Sequence, residues 1–206
     1  MRVISGRLGG RRLVAPTGPA TRPTTDRVRE SLFSILESMN VIEGAHVIDL
    51  YAGTGALGIE ALSRGAARAT FVESARPALV ALRENLRALD LEGLSTVVAA
   101  RVDKLSKETR TARPFDVIFA DPPWVDLAAA VLAIESLLAK GRAAPGATLV
   151  VEHASRDAAP VIARVTAIDT RVYGDTAIFI GVFEGAPGDA APGDSAAPPI
   201  SNPSPG

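Results

Sequence analysis

The chain contains no cysteine, which removes disulfides, thiolate metal sites and cysteine nucleophiles at once. No apolar run approaches the roughly 20 residues that a membrane-crossing helix needs. The first ten residues, MRVISGRLGG, lack the continuous apolar segment of a secretory signal. Aromatics make up only 4% of the chain and tryptophan occurs once, at Trp124, so a ring at that position stands out. Lysine is scarce, which leaves arginine to carry most of the positive charge. The two histidines, His46 and His153, have no partners at metal-ligand spacing and are expected as surface or capping residues. No metal site is expected, and no G-x-S-x-G setting activates any of the serines. The cytoplasm is the expected location.

The chain of 206 residues is 47% hydrophobic and 22% charged, enough for one substantial core with an appendage. Its net charge of −1 hides an asymmetry. Met1 to Arg29 holds seven arginines and one acid, Asp26, a local charge of +6 that leaves −7 on the remainder. A basic end on an acidic body suggests contact with a polyanion. The arginine fork can bond two phosphate oxygens at once. Arg7, Arg11, Arg12, Arg22, Arg27 and Arg29 are therefore candidate nucleic-acid contacts.

Along the chain, RVISGRL, Gly9-Gly10 and RRLVAP read as a hairpin of two short strands. Thr24 or Thr25 can cap a helix to about Met39 that places Val28, Leu32, Ile35, Leu36 and Met39 on one face. HVIDL (46–50) is the first central strand, and strand and helix then alternate. The predicted helices cover about 57–64, a stretch from Arg76 with Leu79, Leu82, Leu86 and Leu89 as core, and about 126–140. Strands are predicted at 69–73, 95–100, 115–120 and 147–152, and a last pair turns at Gly174-Asp175. This pattern predicts an α/β fold, with a doubly wound, mostly parallel seven-stranded sheet whose last strand is antiparallel. The expected organisation is a basic hairpin extension over 1–21, a main domain over 22–185 and a disordered tail over 186–206, rich in Pro, Gly, Ala and Ser.

IDLYAGTGALG contains Gly53-x-Gly55-x-x-Gly58, a literal dinucleotide fingerprint, with Glu73 twenty residues beyond Gly53. A nicotinamide oxidoreductase is thus one reading. Asp49 argues against it, because a carboxylate at that strand end would face the like charge of a pyrophosphate. S-adenosylmethionine, with an ammonium and a sulfonium and no phosphate, suits the position better. Glu73 can accept from ribose hydroxyls in either reading.

FADPPW (119–124) follows an apolar strand with one carboxylate, two prolines and the single tryptophan. In a doubly wound sheet the first and fourth strands end side by side at the switch point. Asp121 and the carbonyl of Pro122 would then accept the hydrogens of an exocyclic amine and aim its lone pair at a methyl carbon. Pro122 and Pro123 would stiffen those acceptors, and Trp124 would stack on the base, worth roughly 1–3 kcal/mol.

GRLGGRRL, TRPTTDRVRESLFSIL, DLYAGTGALGIEALSRGA and FADPPW, in that order, closely resemble the bacterial small-subunit ribosomal RNA guanine-N2 methyltransferases that modify the guanine conventionally numbered 966. The resemblance runs from about Gly6 to Phe183, and TRPTTDRVRE is its most specific block. It implies a Rossmann-like S-adenosylmethionine-dependent methyltransferase fold. The implied partner is 16S ribosomal RNA within an assembled or partly assembled 30S subunit, met by a monomer. By position it implies that Asp49, Tyr51, Ala52, Gly53, Thr54 and Gly55 line the donor. Glu73 and Ser74 would lie at its ribose and Val102 near its adenine. Asp121 to Trp124 would hold the target amine, and residues within Arg22 to Arg29 would close over the site or touch RNA. Two departures stand out: Trp124 where relatives more often have Phe or Tyr, and Arg101 where an Asp or Asn often sits near the adenine, which leaves the Val102 backbone N–H or Asp103 for that contact. The rivals are a DNA adenine or cytosine amino-methyltransferase, the nicotinamide oxidoreductase and a non-enzymatic RNA-binding assembly factor.

Overall fold

FDVIFA is apolar at every position but Asp116, and HVIDL at Val47, Ile48 and Leu50, because both faces of their strands are covered. The computed structural model describes residues 1–15, 25–105 and 113–185; Arg22, Thr24 and the expected tail at 186–206 lie outside them. Among the described residues, seven strands form one sheet: β1 (His46–Asp49), β2 (Arg68–Glu73), β3 (Ser95–Ala99), β4 (Phe115–Ala120), β5 (Ala143–Ala154), β6 (Val165–Tyr173) and β7 (Thr176–Phe183). Their spatial order is 3-2-1-4-5-7-6. β7 runs antiparallel to both its neighbours, and the other pairings are parallel. The helices are α1 (Asp26–Ser38), α2 (Ala56–Ser63), α3 (Arg76–Ala88) and α4 (Leu127–Ala139). α1, α2 and α3 pack on the face carrying Val47, Phe71 and Phe119. α4 packs on the opposite face, against Ile48, Ile118 and Leu149.

α1 starts where a threonine can satisfy an orphan N–H: the Thr25 hydroxyl oxygen accepts from Val28 N at 3.3 Å. Val28, Leu32 and Leu36 are buried as expected, while Ile35 and Met39 pack only partly. Phe33 takes the central place instead, with its ring 5.8 Å from that of Phe119 on β4. In α3, Pro77 fills the first turn, and Leu79, Leu82, Leu86 and Leu89 are all core.

Three expectations are corrected. β5 begins at Ala143 rather than Ala147, because a register shift between Phe115 and Val117 lets the strand absorb Pro145-Gly146 as an irregularity. His153 is buried rather than a surface residue, and the His46 ring packs 5.0 Å from Phe115. At the N-terminus, two paired strands reduce to one bridge between Arg2 and Arg12, with a single 3-10 turn at Gly6–Leu8. The cause is competition for the backbone. The buried Glu60 carboxylate of α2 accepts from Ile4 N at 2.7 Å and Ser5 N at 3.0 Å. Ser63 Oγ accepts from Leu8 N at 3.0 Å. Gly6, at φ 76°, lies so close to the Ser63 carbonyl that a Cβ would sit 2.0 Å from its oxygen. The basic arm is thus bolted to α2, and Val3, Leu8 and Leu13 join the core.

Arg64 Nε donates to Glu60 Oε1 at 2.7 Å and its Nη1 pairs with Glu37 at 2.8 Å, so Glu60→Ala would leave two backbone N–H groups without a partner and the buried Arg64 with Glu37 alone. The expected loss is about 3–5 kcal/mol in urea unfolding, with faster proteolysis inside residues 1–15. Unchanged stability would show that the arm is not held this way.

Candidate active site

β1 is hydrogen-bonded to β2 on one side and to β4 on the other, so successive connections leave it in opposite directions and open a crevice above its end. Asp49 is level with Phe119, and Leu50 N donates to Phe119 O at 2.9 Å. The turn after Asp49 and the DPPW turn after β4 must therefore emerge side by side.

The three glycines of the loop do three jobs. Gly53, at φ 54°, has open space where a Cβ would point. Gly55, at φ 87°, heads α2, and a Cβ there would meet Leu82 at 2.6 Å. A Cβ on Gly58 would meet the Phe71 ring at 2.3 Å, so this glycine sets how closely α2 approaches β2. Glu73 organises the loop from β2: its Oε2 accepts from Gly53 N at 2.9 Å, and its Oε1 from Ser74 N at 2.7 Å and Ala75 N at 2.6 Å. Asn85, buried on α3, donates to Thr54 O at 3.0 Å and exchanges two bonds with the Val14 backbone. It ties the basic arm to the glycine loop. Its signal in the sequence was a lone amide on the leucine face of α3.

A cavity of about 630 Å³ occupies the crevice. Asp49, Tyr51, Ala52, Gly53, Thr54, Glu73, Ser74 and Val102 line it, and so do Asp121, Pro122, Pro123 and Trp124 from the other strand. Gly55 does not, since it serves packing. Trp124 opens a 3-10 turn to Asp126, with the Arg156 guanidinium 5.3 Å from its ring centre. Val102 sits in a short turn beside Asp103, which Arg101 Nε engages at 3.0 Å.

The described residues lining the cavity include six acidic side chains (Asp49, Glu73, Asp103, Asp121, Asp126 and Glu152) and two cationic ones, Arg29 and Arg101. Asp49 is buried. Its Oδ2 accepts from Gly58 N at 3.2 Å, while its Oδ1 has no partner. Burial pushes its pKa up to about 7; the Gly58 N–H opposes the rise, the nearby Glu73 charge adds to it and the Tyr51 backbone opposes it. Burial likewise pushes the Tyr51 phenol, whose oxygen has no partner, up to about 12. A pyrophosphate would add negative charge to this wall. An ammonium facing the orphaned Asp49 oxygen would compensate it, so the residues fit a cationic, phosphate-free ligand such as S-adenosylmethionine.

The candidate nucleic-acid arginines divide. Arg7, Arg11, Arg12 and Arg27 are exposed, and Arg11 also donates to Ala88 O at 3.2 Å. Arg29 is a correction: it is 1% exposed and faces the cavity, because α1 turns it inward with Val28 and Leu32. It cannot belong to an outward patch.

A family model described as Conserved hypothetical protein 95 matches residues 1–182. Ribosomal RNA small subunit methyltransferase D of Escherichia coli strain K12 is 42% identical over 124 residues, 60% of this chain and 60% of that protein. Its namesake in Haemophilus influenzae is 38% identical over 126 residues, 60% of this chain and 64% of its own length. The matched stretch thus spans less than two thirds of these curated relatives. The solved structure of the Escherichia coli protein yhhF superposes with a TM-score of 0.77 at 34% identity, covering 90% of this chain and 99% of that one. An RNA methyltransferase of Salinibacter ruber, solved with S-adenosyl-L-homocysteine, shares the fold at 17% identity and a TM-score of 0.59. The fold is that of the Rossmann-like S-adenosylmethionine-dependent methyltransferases.

A carboxyl raised from 3.8 to about 7 holds its proton in the fold and releases it on unfolding. Its stabilising contribution is complete below about pH 4 and is lost as the pH rises through 7. Asp49→Asn is therefore expected to stabilise the ligand-free protein more at pH 8 than at pH 5, by up to about 4 kcal/mol at the higher pH. Urea unfolding at the two values checks this, and an equal gain at both would contradict it.

Proposed function

The chain belongs to the Conserved hypothetical protein 95 family, and we propose that it transfers a methyl group from S-adenosylmethionine to the exocyclic N2 of guanine 966 in 16S ribosomal RNA. One observation carries the reading: the DPPW turn and the glycine loop line the same cavity, one bearing amine acceptors and the other a counter-charge for the donor. The names of the curated relatives support the ribosomal RNA substrate. The proposed setting is a 30S particle or assembly intermediate in the cytoplasm, met by a monomer whose basic extension (1–21) reads RNA while the main domain (22–185) performs the chemistry.

S-adenosylmethionine, when bound, supplies a methyl carbon made electrophilic by its sulfonium. The chain's own residues do the rest. Asp49 faces the donor's ammonium, and a positive neighbour draws its raised pKa back down so that it ionises. Glu73 offers its remaining lone pairs to the ribose hydroxyls, and the Val102 backbone the adenine edge. Across the cavity, the Asp121 carboxylate and the Pro122 carbonyl accept the two hydrogens of the guanine amine. That directs its nitrogen lone pair, otherwise shared with the ring, toward the methyl group. Pro122 and Pro123 limit how far those acceptors can move, and Trp124 stacks on the base. Positioning of this kind contributes roughly 7–11 kcal/mol in well-oriented pairs. The nitrogen becomes acidic as it gains the methyl, and Asp121 then takes its proton toward solvent. The guanine must leave any stack to reach this depth.

Labelled methyl transfer to under-methylated 30S particles, naked 16S RNA and duplex DNA tests the reading, with incorporation expected in the ribosomal substrates. Incorporation into DNA alone would favour the amino-methyltransferase of DNA, and none anywhere the assembly factor. Asp121→Ala is expected to lower transfer by roughly a hundredfold or more while changing donor affinity less than about threefold. Trp124→Phe is expected to keep most activity, and an inactive variant would argue against simple stacking. Replacing Arg7, Arg11 and Arg12 with Ala is expected to flatten the salt dependence of RNA binding by roughly 0.7 per lost phosphate contact. An unchanged slope would remove the arm from the interface.

A further inference from the structure

We propose that Arg29 binds the carboxylate of the methyl donor's amino-acid end, an inference that rests on the donor identity given above. Arg29 is 1% exposed and lines the cavity. Only one corner of its guanidinium is engaged: Nη2 donates to Arg2 O at 2.6 Å and to Asp26 Oδ1 at 2.9 Å. Nε and Nη1 are buried with no hydrogen-bond partner. Those atoms carry three N–H donors, and leaving such groups dry and unpaired is costly. Burial is also the largest influence on the group and lowers its pKa. Asp26 at 2.9 Å and the nearby Glu60 favour its charged form, but neither satisfies Nε or Nη1, and those buried donors in a cavity wall call for a further acceptor.

The donor carries one anionic group, its carboxylate. The rest of the wall repels it, since Asp49, Glu73 and Asp121 all lie along the cavity. Arg101, the other cationic side chain among the described lining residues, is exposed and already engaged by Asp103. Arg29 also stands on the correct side. It holds the Arg2 carbonyl, and the neighbouring Met1 sulfur accepts from the Thr54 hydroxyl of the glycine loop at 3.6 Å. The carboxylate would then meet Arg29 beside the loop while the ammonium meets Asp49 at the β1 end. Opposite charges on the wall thus match the zwitterionic end of the donor. A ribosomal phosphate is a poorer occupant, because a side chain this buried cannot reach a backbone that stays outside.

Calorimetry with S-adenosylmethionine and decarboxylated S-adenosylmethionine, which keeps the ammonium and sulfonium, reads this contact directly. The wild type is expected to favour the carboxylate form by roughly 30-fold or more. Arg29→Met is expected to bind both forms about as weakly as the wild type binds the decarboxylated one, and Arg29→Lys to keep part of the preference. Full preference in Arg29→Met would overturn the assignment, as would normal donor binding with weakened RNA affinity. If melting curves show Arg29→Met unfolded, the wild type and Arg29→Lys decide: equal wild-type affinities, or undiminished preference with lysine, overturn it. A wild type that binds neither compound sinks the donor reading itself, whereas binding without carboxylate preference sinks only the role of Arg29.

Discussion

The pairing of β1 with β4 is the constraint on which the site depends. Asp49 is four residues before Gly53 and Asp121 two residues past Phe119, and neither position has meaning for the other in the linear sequence. The bond from Leu50 N to Phe119 O fixes both strand ends at one height, and the reversal of strand order there leaves the space above them open. From that single juxtaposition follow the cavity, the convergence of two carboxylates upon it, and the chance for a donor and an acceptor to meet.

The buried charges fall into two kinds, and the difference separates scaffold from site. Glu60 is fully engaged by Ile4, Ser5 and Arg64, and it fastens the basic arm to α2. Asp49 and Arg29 each keep orphaned polar atoms and both line the cavity. Satisfied groups of the first kind hold the structure together. Incomplete groups of the second kind weaken the empty fold and are completed by ligand, a local conflict of the sort that functional sites sustain. Asn85 links the two by joining the arm to the carbonyl of Thr54, so the segment proposed to touch RNA and the loop proposed to hold donor share one helix face.

Most of the architecture was legible in the sequence because it is local. The seven strands, a threonine cap at 24 or 25, Pro77 at the start of α3 and the leucines along it are written in periodicity and turn chemistry. The cavity residues were legible too, since the DPPW and glycine turns follow apolar runs whose ends a doubly wound sheet must gather. What escaped depends on partners far away in the chain. Arg29 reads as one more surface arginine until α1 is docked. The first strand of the hairpin gives way to bonds with Glu60 and Ser63, about 55 residues on. His153 reads as the residue after a strand, whereas β5 runs on to Ala154 and His153 is buried within it. Of TRPTTDRVRE, residues 21–24 lie outside the described structure, while Thr25 to Glu30 open α1 and include the cavity-lining Arg29.

The central claim is that this cavity is charged for a cation and shaped for no pyrophosphate. Competitive calorimetry of S-adenosylhomocysteine and NAD on the same protein at pH 8 tests it most directly. S-adenosylhomocysteine is expected to bind, to be retained in the presence of excess NAD, and to lose affinity in Asp49→Asn. Binding of NAD that excludes S-adenosylhomocysteine would contradict the account.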